Sequence, residues 1–248
     1  MSHQSDRSIL AKVDELIQLR RRDEARSMVE SYLAEHPDDA SGWGYHGLAL
    51  VDSDPAAALT SAQRAVGLEP ERVWLHRVVA IVAHEAGELR LAATAAERAV
   101  MLDPHDPQNH RILADQLIRI AGRRDDALRA ANEACRLAPD DPRSLVALGN
   151  ARLGMSDYER AAEHYRAALA SDPGNPVALH NLALCHNAMQ DHGTALTLLQ
   201  DLLVASPGNA GARSQLDRAL RDLLNEFQWL ALFAGLVLAI VAGLLAGQ

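Results

Sequence analysis

Apolar positions recur along this chain at spacings of three and four residues, the period of a helix face and not the alternation of a strand. The clearest stretch is "SLVALGNARLGMSDYERAAEHYRAALASDP", beginning at Ser144. Leu145, Leu148, Gly149 and Leu153 share one side of a first predicted helix; Ala161, Tyr165 and Ala168 share one side of a second. Pro173 closes the stretch, because proline lacks the N–H and disfavours α geometry in the residue before it. Small residues at 149, 161 and 168 let neighbouring helices approach closely. Such a hairpin is apolar on both sides and must stack on others like it to cover its seams.

The stretch has copies. Prolines at 37, 70, 104, 139, 173 and 207 are 33, 34, 35, 34 and 34 residues apart, a period that signals stacked supersecondary units. Twelve residues before each stands an alanine: Ala25, Ala58, Ala92, Ala127, Ala161 and Ala195. The second unit is one residue short and the fourth one long, differences expected in the turn between the helices of a unit. Six units covering roughly residues 6–208 are predicted on this basis.

These residues carry a family resemblance. The pattern W-x2-L-G-x2-Y…A-x3-F…P is the tetratricopeptide (TPR) signature. The chain resembles it in "WGYHG" at Trp43–Gly47 and in Leu145, Leu148, Gly149, Ala161, Tyr165 and Pro173. It does so again in Leu179, Leu182, Ala183, Ala195, Leu199 and Pro207. The first unit departs, with Lys12 and Val13 where Leu and Gly are expected, as an end-capping repeat does. The fold class expected is all-α: a TPR solenoid of about six helical hairpins over residues 1–208, followed by a C-terminal capping helix over 209–226.

The capping helix shows an apolar stripe of Ala212, Leu216, Ala219, Leu220, Leu223 and Leu224. Beyond it, the 19 residues from Trp229 to Gly247 hold no charge, a length of about 28 Å as a helix. The expectation drawn is a single transmembrane helix over 227–247, with Phe227 and Trp229 at the interface. Arg213, Arg218 and Arg221 precede it and only Gln248 follows, so a tail-anchored protein with its N-terminal domain cytoplasmic is expected. Ala231, Gly235, Ala239, Gly243 and Gly247 recur every fourth residue, a spacing that suits membrane helix pairing, either with itself or with another membrane protein. Composition could also produce this series, since 8 of the 19 residues are Ala or Gly.

Composition narrows the function classes. Nine of 248 residues are aromatic and 45 are Ala, a mix that favours close helix packing over sheet. The net charge of −9 argues against nucleic acid, whose binding needs clustered cations. Lys12 is the one lysine against 23 arginines, read as GC-rich coding bias and a bacterial source. Cys135 and Cys185 make neither a disulfide framework nor a metal cage.

With Trp43 placed at position 4 of a unit's first helix, positions 4, 7, 8 and 11 pack and positions 2, 5, 9 and 12 lie opposite. The resemblance implies that this second set lines the concave groove in which TPR proteins take peptides. It comprises Trp74, Arg77, Ile81 and His84; Gln108, Arg111, Asp115 and Ile118; Arg143, Val146, Asn150 and Leu153; Val177, His180, Leu184 and Asn187, with Asn181 beside them. Arg77, Arg111 and Arg143 stand in successive units, so a partner segment bearing carboxylates fits, with bidentate arginine contacts. The other reading is that these arginines merely solvate an exposed face. The lysine–asparagine carboxylate clamp of some TPR domains is absent in its usual residues.

No catalytic, cofactor or metal residues are expected. "HEAGE" at His84–Glu88 puts Glu88 where a zinc-protease motif needs its second histidine. His180, Cys185 and His186 diverge around one helix; Cys185 is expected as a small buried residue and His186 as a packed one. The functional expectation is a membrane-tethered scaffold or adaptor, not an enzyme, whose groove binds a protein or peptide. The alternative is a structural subunit of a membrane complex assembled through its apolar helix.

Overall fold

The computed structural model describes residues 2–225 and 228, and among them the chain is all helix and turn, without a strand. Twelve helices are bounded: α1 Ser2–Gln18, α2 Arg22–Glu35, α3 Ala40–Leu50, α4 Pro55–Leu68, α5 Val73–Glu85, α6 Leu89–Leu102, α7 Pro107–Ile118, α8 Arg124–Leu137, α9 Pro142–Gly154, α10 Tyr158–Ser171, α11 Pro176–Ala188 and α12 His192–Ala205. A further helical stretch occupies 210–225. α1–α2, α3–α4, α5–α6, α7–α8 and α11–α12 pack as hairpins, odd helix with even, in five of the six predicted units.

The sequence clock is visible in the even-numbered helices. All six are 14 residues long, and each ends two residues before its repeat proline. The periodic alanine is the fourth residue of each, and all six have no exposed surface. Alanine is needed there because the partner backbone is close: a Cβ built on Gly47 of α3 would lie 3.0 Å from the carbonyl oxygen of Ala58. Length variation falls elsewhere. The odd helices run from 11 to 17 residues, and the α7–α8 turn has five residues against three between α9 and α10.

Helix starts are written in the sequence too. Asp39, Asp54 and Asn175 accept from the backbone N–H three residues on, at 2.7, 3.0 and 3.0 Å, and Pro55, Pro107 and Pro176 take first-turn positions that need no donor. A second device recurs six residues after the repeat proline, where a side-chain N–H points back at the proline carbonyl. Trp43 Nε1 reaches Pro37 at 2.8 Å, His76 Nε2 reaches Pro70 at 2.7 Å and His110 Nε2 reaches Pro104 at 2.8 Å. Arg213 makes the same bond to Pro207. For the histidines this places the proton on Nε2, because a carbonyl only accepts. Leu145 and Leu179 hold the equivalent place after Pro139 and Pro173, where no such bond can form.

The chain divides into two compact units, Met1–Ala151 and Arg152–Gln248. In the first, α1, α3, α5 and α7 lie side by side and each packs on its even-numbered partner. Its core is small-residue packing between helices, for example Ala58, Ala62, Ala96, Val78 and Val82 with Leu50. In the second unit α10, α11 and α12 pack in series, and Ala212 and Leu216 of the 210–225 stretch close over Leu179, Leu199 and Leu202. That stretch covers the seam with only part of its apolar stripe. Ala212 and Ala219 are buried, but Leu220 and Leu224 are exposed.

The expected single-pass membrane localisation with a cytoplasmic N-terminal domain is corrected here. No helix among the described residues is long and apolar enough to cross a membrane. The bounded helices, 11 to 17 residues long, reach about 17 to 26 Å, whereas a span needs about 20 apolar residues in succession. The 210–225 stretch carries Arg213, Asp217, Arg218, Arg221 and Asp222. The segment 227–247, with the pairing positions Ala231, Gly235, Ala239, Gly243 and Gly247, lies outside the described residues apart from Gln228.

Candidate functional site

The predicted groove positions of the first unit fall on α5, α7 and the adjoining part of α9, and their side chains reach across from one odd helix to the next. Trp74 of α5 lies against Tyr45 of α3, ring centroids 4.7 Å apart and tilted by 48°. Gly44 makes room for it, since a Cβ there would come within 2.7 Å of the indole. His84 Nδ1 meets Gln116 Oε1 of α7 at 2.7 Å, so that nitrogen carries the proton.

The arginines are engaged within the protein. Arg77 Nη1 donates to Asp106 Oδ2 at 2.6 Å and approaches Asn109 Oδ1 at 3.4 Å; its side chain is 16% exposed. Arg111 Nη1 lies 3.7 Å from Asp141 Oδ2 and is 12% exposed. Asp106 and Asp141 are the residues just before the first-turn prolines of α7 and α9, so each serves its own helix start and the arginine of the preceding odd helix. Asp106 accepts from the Gln108 N–H at 2.8 Å, and Asp141 from the Arg143 N–H at 3.2 Å. Arg143 turns back to Asp141 as well, Nε to Oδ1 at 3.1 Å, though its side chain is 71% exposed.

Asp141 and Arg111 answer their pairing differently. Burial works to raise the Asp141 carboxyl, but the Arg143 side-chain and backbone hydrogen bonds, with the Arg111 and Arg143 charges, hold it below its usual value. Burial lowers the Arg111 guanidinium, and Arg143 adds to this, against Asp141, Asp115 and Asp106. The 3.7 Å separation explains the contrast: Asp141 draws its stabilisation chiefly from Arg143, and Arg111 is held by a weaker contact. Asp115, one turn along α7, is open to solvent and takes a long contact from Asn150 Nδ2 at 3.5 Å. Surrounding protein nevertheless raises its carboxyl, opposed by the Asn150 bond, Arg111 and His84, and solvent access moderates that push.

Gln108 is exposed. The expected positions therefore separate into two sets. Trp74, Arg77, His84 and Arg111 join neighbouring helices, while Ile81, Gln108, Asp115 and Arg143 face outward. His180, Asn181 and Asn187 lie on α11, in the second unit. His180 Nε2 accepts from the Gln215 side-chain amide at 2.9 Å, and burial lowers its pKa. Asn187 Oδ1 accepts from His192 Nδ1 at 3.3 Å. His186 is packed between Asp191, 2.8 Å from Nδ1, and Arg166, 3.1 Å from Nε2, and Cys185 is fully buried.

Sequence reasoning missed Asp106, Asn109, Gln116 and Asp141. Asn109 is buried and donates to the carbonyls of Ala99 and Asp103 at 3.2 and 2.8 Å. A signal existed for the aspartates: the dipeptide Asp-Pro at 106–107 and 141–142 repeats close to the unit period. Also missed was the approach of Ser61, His46 and Glu30, which superficially suggests nucleophile, base and acid. Ser61 Oγ is bonded to the Ala57 carbonyl at 2.9 Å and stands 2.9 Å from His46 Nδ1, whose other nitrogen lies 3.6 Å from Glu30. Ser61 is 5% exposed, which shuts out a substrate.

The tetratricopeptide repeat family profile matches residues 10–72, 119–176 and 146–210, and the chain belongs to that family. Among solved structures it is similar to the APC/C hetero-tetramer Cut9–Hcn1, with TM-score 0.71 and 18% identity over 87% of this chain and 43% of that one. It is similar to TTC0263, a thermophilic TPR protein of Thermus thermophilus, with TM-score 0.66 and 19% identity over 73% and 98%. Yeast Tom70 follows, with TM-score 0.63 and 17% identity over 82% and 44%. The chain thus spans less than half of the Cut9–Hcn1 and Tom70 chains that it matches, and at these identities the likeness is one of fold. No curated protein matches the sequence. The repeat fold suggests a scaffold for protein–protein interaction, and proteins built this way are generally non-enzymatic.

Proposed function

We propose that the chain is a protein-interaction scaffold whose first unit binds a peptide or an exposed protein segment across α5, α7 and the start of α9. The observation that carries this is the division of labour on that face. Lateral bonds such as Arg77–Asp106 and His84–Gln116 hold the odd helices in register, and Ile81, Gln108, Asp115 and Arg143 are left facing outward. A preorganised surface loses little entropy on binding, and an apolar side chain flanked by polar ones supplies both burial and direction.

The test uses the full chain. Peptides selected from a random twelve-residue displayed library are bound to it, and backbone deuterium exchange is compared with and without peptide. Protection at residues 73–85 and 107–118 is expected. Protection confined to the even-numbered helices α4, α6 and α8 would remove the assignment.

A further inference from the structure

We infer that the segment held on this face carries a lysine or arginine for Asp115 beside an apolar side chain for Ile81, and so is basic rather than acidic; the inference rests on the peptide-binding reading above. Carboxylate recognition needs guanidinium groups that are free to turn toward a ligand. Arg77 and Arg111 are not: their side chains are 16% and 12% exposed and each faces an aspartate of the next helix start. Arg143 is exposed but stands 3.1 Å from Asp141, which it shares with Arg111. An incoming carboxylate would have to compete with a fixed aspartate that costs no binding entropy.

Asp115 is in the opposite position. Its only hydrogen bond among the described residues is the 3.5 Å contact from Asn150, at the long limit for such a bond. No guanidinium among the described residues comes within ion-pair distance of it, although Arg111 sits one turn away. The carboxyl is raised above its ordinary value chiefly by the protein around it, so its charge is under-compensated. A cation arriving there gains a charge-assisted hydrogen bond without displacing one.

Its neighbour fixes the second half of the pattern. Ile81 on α5 is the positional equivalent of Asp115 on α7, 34 residues earlier, and is 38% exposed. Packed helices are spaced about 8–10 Å apart, so the two contacts ask for an apolar and a basic side chain about 10 Å apart on the ligand. The net charge of −9 on the chain acts in the same direction by drawing cationic partners toward it.

The experiment selects twelve-residue displayed peptides on the full chain, sequences them, and measures a fluorescein-labelled selected peptide by anisotropy on wild type, Asp115→Asn and Ile81→Gln. Both replaced side chains are exposed, and asparagine keeps the shape of aspartate. Selected peptides are expected to be enriched in lysine or arginine, Asp115→Asn to weaken binding five- to tenfold, and Ile81→Gln to weaken it severalfold. Peptides rich in acid, or binding unchanged by Asp115→Asn while Ile81→Gln weakens it, would overturn the basic-ligand inference and leave the face intact. Binding indifferent to both substitutions, or no peptide selected at all, would overturn the face together with the inference.

Discussion

Replacing Asp106 with alanine should remove two supports at once. The first is the helix-start bond to the Gln108 N–H at 2.8 Å, a type of contact worth about 1 kcal/mol. The second is the 2.6 Å acceptor of Arg77, whose Nε already lacks a partner among the described residues. Stranding a mostly buried guanidinium costs about 1.5–3 kcal/mol. Asp106 is 29% exposed, so water recovers part of the loss, and a net destabilisation of about 2–3 kcal/mol is expected. With a urea slope of about 2 kcal/mol per molar, the unfolding midpoint falls by about 1 M or more. Asp106→Asn keeps the cap and an acceptor for Arg77 and should cost about 1 kcal/mol. Backbone exchange should accelerate in α5 and α7 before it does in α2, because repeat arrays are stabilised by nearest neighbours. A midpoint unchanged by the alanine substitution, or equal losses for alanine and asparagine, would refute the dual role given to this carboxylate.

Gly44→Ala should destabilise the first unit by about 1–2 kcal/mol, because the new methyl meets the Trp74 ring at 2.7 Å and the ring must move. Gly67→Ala should act oppositely, adding about 0.5–1 kcal/mol, since nothing lies within 4 Å of its Cβ and alanine is the better helix former; paired urea titrations compare the two. Burial lowers the pKa of His46, His164 and His180, the first against Glu30 and the second with help from Arg152. The unfolded chain therefore takes up protons first as pH falls. The stability from these groups is complete above the unfolded value of about 6.5 and is lost as pH drops through the lower folded values. The urea midpoint should be lower at pH 5.5 than at pH 7.5, and His46→Gln should flatten that slope.

The architecture was written in the chain because stacking leaves a periodic trace. Each repeat proline has to follow a helix end, and each periodic alanine has to sit where two backbones nearly touch, so both survive as a countable spacing. The candidate site was legible only in position. Arg77 and Arg111 were expected on one face from their spacing, but their partners are 29 and 30 residues further on, and whether a side chain reaches a neighbour depends on the rotation between hairpins. That angle is set by summed packing rather than by any short motif. Leu220 and Leu224 show the same limit: helical spacing puts them on the stripe with Leu216, yet the seam available to be covered is narrower than the stripe.

The contact that reaches back to the repeat proline is kept in this molecule as a bond and not as an amino acid. Tryptophan, histidine and arginine all serve, because the carbonyl asks only for a hydrogen at the right distance, while Leu145 and Leu179 dispense with it. Both histidine versions, at 76 and 110, fall in residues 73–118, the stretch between the family profile's matches. Kinship among hairpins of this kind is better traced by what a side chain can donate than by which side chain it is.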